Sequence, residues 1–230
     1  MKQKGTLLNT QLIKDLTIEE IGDDHVPGSY ETPLRSDAFE MSDEVKMQLI
    51  ENHFREIMTI MGMDLNDDSL KGTPKRVAKM FIKEVFSGLN PENRPKIKLF
   101  DNKFKYNEML VEKDITFYSY CEHHFVPIIG KAHVAYISSG KVIGLSKINR
   151  IVQYYSKRPQ VQERLTVQIA NDLKETLETE DIAVIMDASH LCVASRGVSD
   201  TSSRTVTAHY SGKFKLEAIK AEFLNHTKQV

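Results

Sequence analysis

The chain has 230 residues, 40% of them hydrophobic, and its 31 Lys and Arg nearly balance 32 Asp and Glu, for a formal net charge of −1. That balance argues against wholesale nucleic-acid binding, while leaving room for a local basic pocket. No run approaches the ~20 apolar residues of a membrane span, and the basic start Met1-Lys2-Gln3-Lys4-Gly5 has no apolar core behind it, so the expectation is a cytoplasmic protein with one substantial domain and an appendage.

Leu7, Leu8, Leu12, Ile13 and Leu16 give a weak helical pattern, followed by turn-rich sequence holding Gly22, Pro27, Gly28 and Pro33 that reads as a loose connector. Ser42 opens a clear amphipathic helix, with Asp43 and Glu44 at the positive end of its dipole. Val45, Leu49, Ile50, Phe54, Ile57, Met58 and Met61 recur at helical spacing, and Gly62 ends it. Thr73-Pro74 predicts a second helix, with Val77, Phe81, Val85 and Phe86 as its apolar stripe and Gly88 as its stop. Asn90 to Pro95 carries two prolines and reads as a linker.

Beyond it the pattern becomes strand-like, β-branched and aromatic, over Met109–Ser119 and Phe125–Ile137, with turns expected at Gly130 and at Ser138-Ser139-Gly140. Ile148, Ile151, Val152 and Tyr155 mark a helix, Pro159 interrupts, and Val161, Leu165, Ile169, Leu173 and Leu177 mark the next. Strands resume at Ile182–Met186, around Leu191–Ala194 and over Thr205–Tyr210, before a short helix from Leu216 to Leu224. Strands, then helices, then strands again predicts an α+β fold with an antiparallel sheet covered on one face. There are no internal repeats.

The chain's two cysteines each sit beside histidine, in Cys121-Glu122-His123-His124 and in His190-Leu191-Cys192. Two thiolates and up to three imidazoles suit zinc better than a hard, oxygen-seeking cation. If both cysteines and one histidine bind the metal, a fourth position stays open for water, the catalytic arrangement, and the spare histidines stand beside it as proton carriers. The bland alternatives are a structural zinc closed by four ligands, a buried Cys with a satisfied His, and a disulfide, which a reducing cytosol disfavours. Adjacent strand residues point to opposite faces, so His123 and His124 share a cavity only if a loop or bulge turns them together.

Gly144-Leu-Ser-Lys-Ile-Asn-Arg150 puts Ser146, Lys147 and Arg150 at a strand-to-helix junction, which is either an anion site or a solvated basic helix start. Gln162 and Glu163 fall near the start of a helix. They can either serve a purine edge or stand as an exposed helix start. Arg196-Gly197 offers a planar fork for polyphosphate, or a surface arginine before a turn.

Taken together, Cys121-Glu-His-His-Phe, Gly144-Leu-Ser-Lys-Ile-Asn-Arg, Arg158-Pro-Gln-Val-Gln-Glu-Arg-Leu-Thr, His190-x-Cys-x-x-x-Arg-Gly and Gly72-Thr-Pro-Lys-Arg76-Val-Ala-Lys-Met resemble GTP cyclohydrolase I, in the family's order and over roughly residues 43–215. The resemblance implies hydrolysis of GTP to 7,8-dihydroneopterin triphosphate and formate, the entry step to tetrahydrofolate and pterins. It implies Cys121, His124 and Cys192 as zinc ligands, with zinc-activated water attacking guanine C8, and His123 and His190 as the proton-transfer pair. Ser146 falls near the ribose, where the Amadori rearrangement occurs. Glu163 and Gln162 hold the guanine, and Lys147, Arg150, Arg196 and Arg76 of a neighbouring subunit cradle the triphosphate. Glu122 of the first motif joins the substrate-binding set.

The implied fold is the tunnelling fold, an antiparallel sheet with two helices on one face, preceded by a helical domain. It gives a variable segment over 1–41, a helical domain over 42–95 and a catalytic domain over 96–230. The implied assembly is a homodecamer with intersubunit active sites, without nucleic-acid or membrane partners. Two other readings compete: a nitrile reductase of related fold using a cysteine nucleophile, and a zinc-stabilised binding module without turnover. Both cysteines lie in metal-type contexts, which counts against the first. The clustered histidines and basic residues count against the second.

Overall fold

A computed structural model describes residues 30–228; the weak helical pattern of Leu7–Leu16 and the turn residues Gly22, Pro27 and Gly28 lie outside them. Helix α1, Asp43–Ile60, is capped by the Ser42 hydroxyl, which accepts from the Val45 N–H at 3.4 Å. It stops where Gly62 takes a φ of +81°, as the sequence predicts. Helix α2, Thr73–Lys79, then widens into a π-helical stretch, Met80–Val85. Periodicity alone does not predict that widening. A 3-10 turn, Ser87–Leu89, follows, and at its Gly88 any Cβ would collide with the carbonyl oxygen of Tyr154. The expected linker is no loose tether: Arg94 forms a bidentate pair with buried Asp172, 3.0 Å at each nitrogen.

Strands β1 (Leu99–Asp101) and β4 (Lys141–Ile143) form a small ladder of their own. The main sheet contains β2 (Met109–Cys121), β3 (Pro127–Ile137), β5 (Pro159–Gln160), β6 (Ile182–His190) and β7 (Thr205–Tyr210), in the order β5-β2-β3-β6-β7. All pairs are antiparallel except the two-residue β5, which runs parallel to the end of β2. Helices α3 (Leu145–Ser156) and α4 (Gln162–Leu177) bury Ile148, Ile151, Val152, Leu165, Ile169 and Leu173 against the even-numbered residues of β3 and β6, among them Val134, Tyr136, Val184 and Met186. The odd-numbered Ala135, Ile137, Ala183 and Ile185 face the other way and pack on Phe214 and on Phe223 of helix α6 (Glu217–Lys228). The architecture is therefore α+β, but both faces of the sheet are covered at this end rather than one.

Two local expectations are corrected. Gly130 is not a turn but sits inside β3, paired with Phe117 and Ala188, where a side chain would run into the Asp187 carbonyl and come within 2.6 Å of the Ala188 Cβ. Leu191–Ala194 is a short helical turn (α5), not a strand, because β6 runs out at His190. Strand β2 carries a bulge between Glu112 and Ile115, with Asp114 at φ 59°. The bulge restores phase, so that Leu110 before it and Ile115 and Phe117 after it all reach the α3–α4 core.

Gly130→Ala should destabilise the fold by about 1–3 kcal/mol through backbone overpacking, read as a lowered thermal midpoint with α-helical circular dichroism retained below it.

Candidate metal centre

Cys121 is the last residue of β2 and shares the phase of Ile115 and Phe117, so its sulfur faces the helix-covered side. Strand β5 holds this end in place: Cys121 pairs with Gln160, and the Glu122 N–H donates to the Gln160 carbonyl at 3.1 Å. The chain then curls tightly, with the Phe125 N–H donating to the Cys121 carbonyl at 2.8 Å and the Cys121 N–H to the Val126 carbonyl at 2.9 Å. Phe125 closes the curl at φ 53°, an uncommon region for a bulky residue. Its ring is pinned against Phe86, with centroids 5.0 Å apart. The curl is the loop that two adjacent histidines need to face one cavity: His123 Nδ1 and His124 Nδ1 lie 3.6 and 3.9 Å from the Cys121 sulfur.

Cys192 arrives from two strands away, across β3, on the same helix-covered side. His190 ends β6 opposite Ile128, and the α5 turn that follows swings Cys192 back toward Cys121. The ligand atoms of Cys121, His124 and Cys192 all lie within 4.8 Å of one another. Burial first, and the neighbouring Cys121 sulfur second, push the Cys192 thiol up to about 11. The Cys192 thiol therefore resists ionisation, and a bound cation would reverse that, since a coordinating thiol is deprotonated outright. Two sulfurs and an imidazole fit a borderline-soft ion and leave a fourth tetrahedral position outside the triad.

Around this triad, Arg196 Nη1 lies 3.1 Å from His124 Nε2. His190 is half-buried, and that burial pulls its imidazole below the ordinary 6.5 against the opposing charge of Glu163. Glu163 is exposed at the first turn of α4, whereas Gln162 is buried with its amide bonded to β6, β7 and His190. Glu122 is gripped by Arg164, at 2.7 and 3.0 Å, with both side chains largely out of water. Sequence alone does not single out Arg164, although it stands in the Arg158–Thr166 motif, because its partner Glu122 lies 42 residues earlier in the chain.

Ser146, Lys147 and Arg150 do not join this cluster within the chain. They lie in the first two turns of α3, where Asn149 Nδ2 reaches Glu112 near the start of β2 and Lys147 Nζ donates to the Lys96 carbonyl at 2.9 Å. At ~3.3 Å per strand residue, Glu112 and Cys121 are on the order of 25–30 Å apart. Arg76 is exposed on α2, its guanidinium held by the Ser69 carbonyl and the Thr73 hydroxyl.

A thiol–imidazole triad with His123 beside it, at the end of a helix-covered sheet, fits the donor set of a metal-dependent enzyme. The chain belongs to the GTP cyclohydrolase I family, whose family model matches residues 50–228. It is 60% identical over 211 residues to GTP cyclohydrolase 1 of Flavobacterium johnsoniae, covering 92% of this chain and 95% of that protein. It is 55% identical over 196 residues to GTP cyclohydrolase 1 of Vibrio parahaemolyticus (85% and 89%), and 54% identical over 199 residues to that of Erwinia tasmaniensis (86% and 90%).

Arg164→Ala takes the bidentate partner from the largely buried Glu122 carboxylate and should lower stability by about 3 kcal/mol. Pairing it with Glu122→Gln should recover part of that loss in denaturant unfolding.

Proposed function

We propose that this chain hydrolyses GTP to 7,8-dihydroneopterin triphosphate and formate, with zinc as its metal, as the first step of tetrahydrofolate and pterin synthesis. The observation that carries the reading is the meeting of Cys121, His124 and Cys192 within 4.8 Å, with His123 beside them. Zinc held by those three residues supplies a Lewis acid that makes water nucleophilic near neutral pH.

The remaining work falls to the chain's own groups. Glu163, exposed at the start of α4, accepts hydrogen bonds from the two N–H groups on the pyrimidine edge of guanine. His123 and His190 move protons as the imidazole ring opens and formate leaves; His190, kept neutral by burial, is ready to accept one. Arg196, at the rim of the triad, turns its fork toward phosphate oxygens. Ser146, beside the ribose, serves the Amadori rearrangement.

The separation of Ser146, Lys147 and Arg150 from the triad supports a site built between subunits, with these residues and Arg76 contributed by neighbours in a homodecamer. In this reading residues 42–95 form the helical domain and residues 96–230 a tunnelling-fold catalytic domain, in a cytoplasmic enzyme.

The test is incubation of zinc-loaded protein with GTP, following formate and pteridine absorbance. Formate and dihydropterin should appear in equal amounts, vanish with a chelator and return with zinc, and Cys192→Ala should lose both metal and turnover. Release of inorganic phosphate without formate, or full activity in Cys192→Ala, would overturn the reading.

A further inference from the structure

Gln162 opens α4 with its side chain 1% exposed, between the ends of β6 and β7. Its Nε2 lies 3.1 Å from the Met186 carbonyl, 2.9 Å from the Thr205 carbonyl and 3.2 Å from the Thr207 hydroxyl. The two carbonyls can only accept. The hydroxyl is committed to accepting as well: Thr166 donates its hydrogen to the Gln162 carbonyl at 2.8 Å, so at the 2.6 Å contact between Thr166 and Thr207 it is Thr207 that donates. Three acceptors therefore face one end of the carboxamide, and that end must be the NH2 group. A flipped amide would aim its oxygen at two carbonyl oxygens.

The opposite end is then the oxygen, and it lies 2.7 Å from His190 Nε2. A carboxamide oxygen offers no proton, so His190 Nε2 must carry the hydrogen. In a neutral imidazole this leaves the lone pair on Nδ1, which has no hydrogen-bond partner among the described residues. Gln162 has no donor left for a ligand, and its oxygen is occupied.

We propose that Gln162 is a positioning residue that locks His190 in the Nε2–H tautomer, making Nδ1 the atom that exchanges protons with substrate, and that it does not read the guanine edge. The inference deepens the GTP cyclohydrolase reading and rests on it for the identity of the substrate. It transfers recognition of the base to Glu163, the exposed neighbour one residue along. The alternation follows from helix geometry: consecutive residues at a helix start point about 100° apart, so one faces the sheet and the next the solvent.

The test combines magic-angle-spinning 15N NMR of histidine-labelled protein with steady-state kinetics of Gln162→Met, a variant of similar length without donor or acceptor. In the unsubstituted protein His190, assigned by its loss in His190→Ala, should show a protonated Nε2 and a bare Nδ1. In Gln162→Met that signal should become a tautomer mixture, and kcat for formate release should fall at least about ten-fold while KM for GTP stays within about two-fold. A proton on Nδ1 in the unsubstituted protein overturns the proposal outright. So does a rise of KM with kcat retained, which would make Gln162 a reader of the base, or a fall in kcat with the tautomer unchanged. If Gln162→Met does not fold, the tautomer of the unsubstituted protein still decides. That spectrum needs no GTP, so a protein that releases no formate would end the reaction reading while leaving the tautomer to be judged separately.

Discussion

The pairing of β2 with β3 up to Tyr120↔Pro127 fixes where Cys121 sits, and the rest of the candidate metal centre is arranged around that sulfur. A strand carried three residues further, through His124, would send His123 and His124 to opposite faces of the sheet. Ending the ladder at Cys121 and closing the curl with the Phe125 N–H instead turns both rings toward one sulfur. The phase is set well upstream, at the bulge between Glu112 and Ile115, since without the extra residue the strand's buried set would change faces. The short parallel contact with β5 and the aromatic wedge of Phe86 and Phe125 hold the curl from either side. Through Phe86, next to the π-helical stretch, the helical segment is thus mechanically part of the metal centre.

A second layer is electrostatic. The Glu122–Arg164 pair ties the curl to α4, and breaking such a pair costs more than making it gains, so it specifies geometry more than it adds stability. The same logic recurs further back. Asp172 is nearly enclosed and takes both nitrogens of Arg94, the Tyr155 hydroxyl at 2.7 Å and the Thr176 hydroxyl at 3.0 Å. Burial first, and the Asp172 bond second, raise the Tyr155 hydroxyl well above its usual range, which keeps it a donor throughout the working pH range. Arg158 stacks over Tyr154 and Tyr155, at 4.6 and 4.5 Å, and donates to the Gly88 carbonyl at 2.8 Å. Buried Arg158 and the more exposed Arg94, whose partner Asp172 is buried, therefore tie residues 88–94 to the α3–α4 layer.

Much of this was legible in the sequence. Helix α1 follows from its apolar spacing and from Ser42 and Gly62, and α3 and α4 from their stripes, because burial of a face imposes a period on its residues. The co-location of two cysteine–histidine motifs could be argued from ligand chemistry alone. What escaped depended on contacts between distant segments. Gly130 carries the signature of a turn and is instead a glycine required by the close approach of Asp187 and Ala188. Leu191–Ala194 has strand composition, yet the sheet partner has ended. Gln162, taken alone, reads as an exposed helix start; its burial depends on β6 and β7, 24 to 45 residues away. Arg164 and Arg94 look like ordinary charges until Glu122 and Asp172 are brought beside them.

The central claim is a metal bound by three protein ligands with the fourth position left to solvent, and zinc K-edge absorption tests it most directly. The account predicts two sulfurs at about 2.3 Å and two nitrogen or oxygen neighbours at about 2.0–2.1 Å. Only one of those neighbours should show imidazole scattering, and the spectrum should be unchanged in His123→Ala and in His190→Ala. Two imidazole ligands, one of them lost in either variant, would mean a closed four-ligand site and would contradict the account.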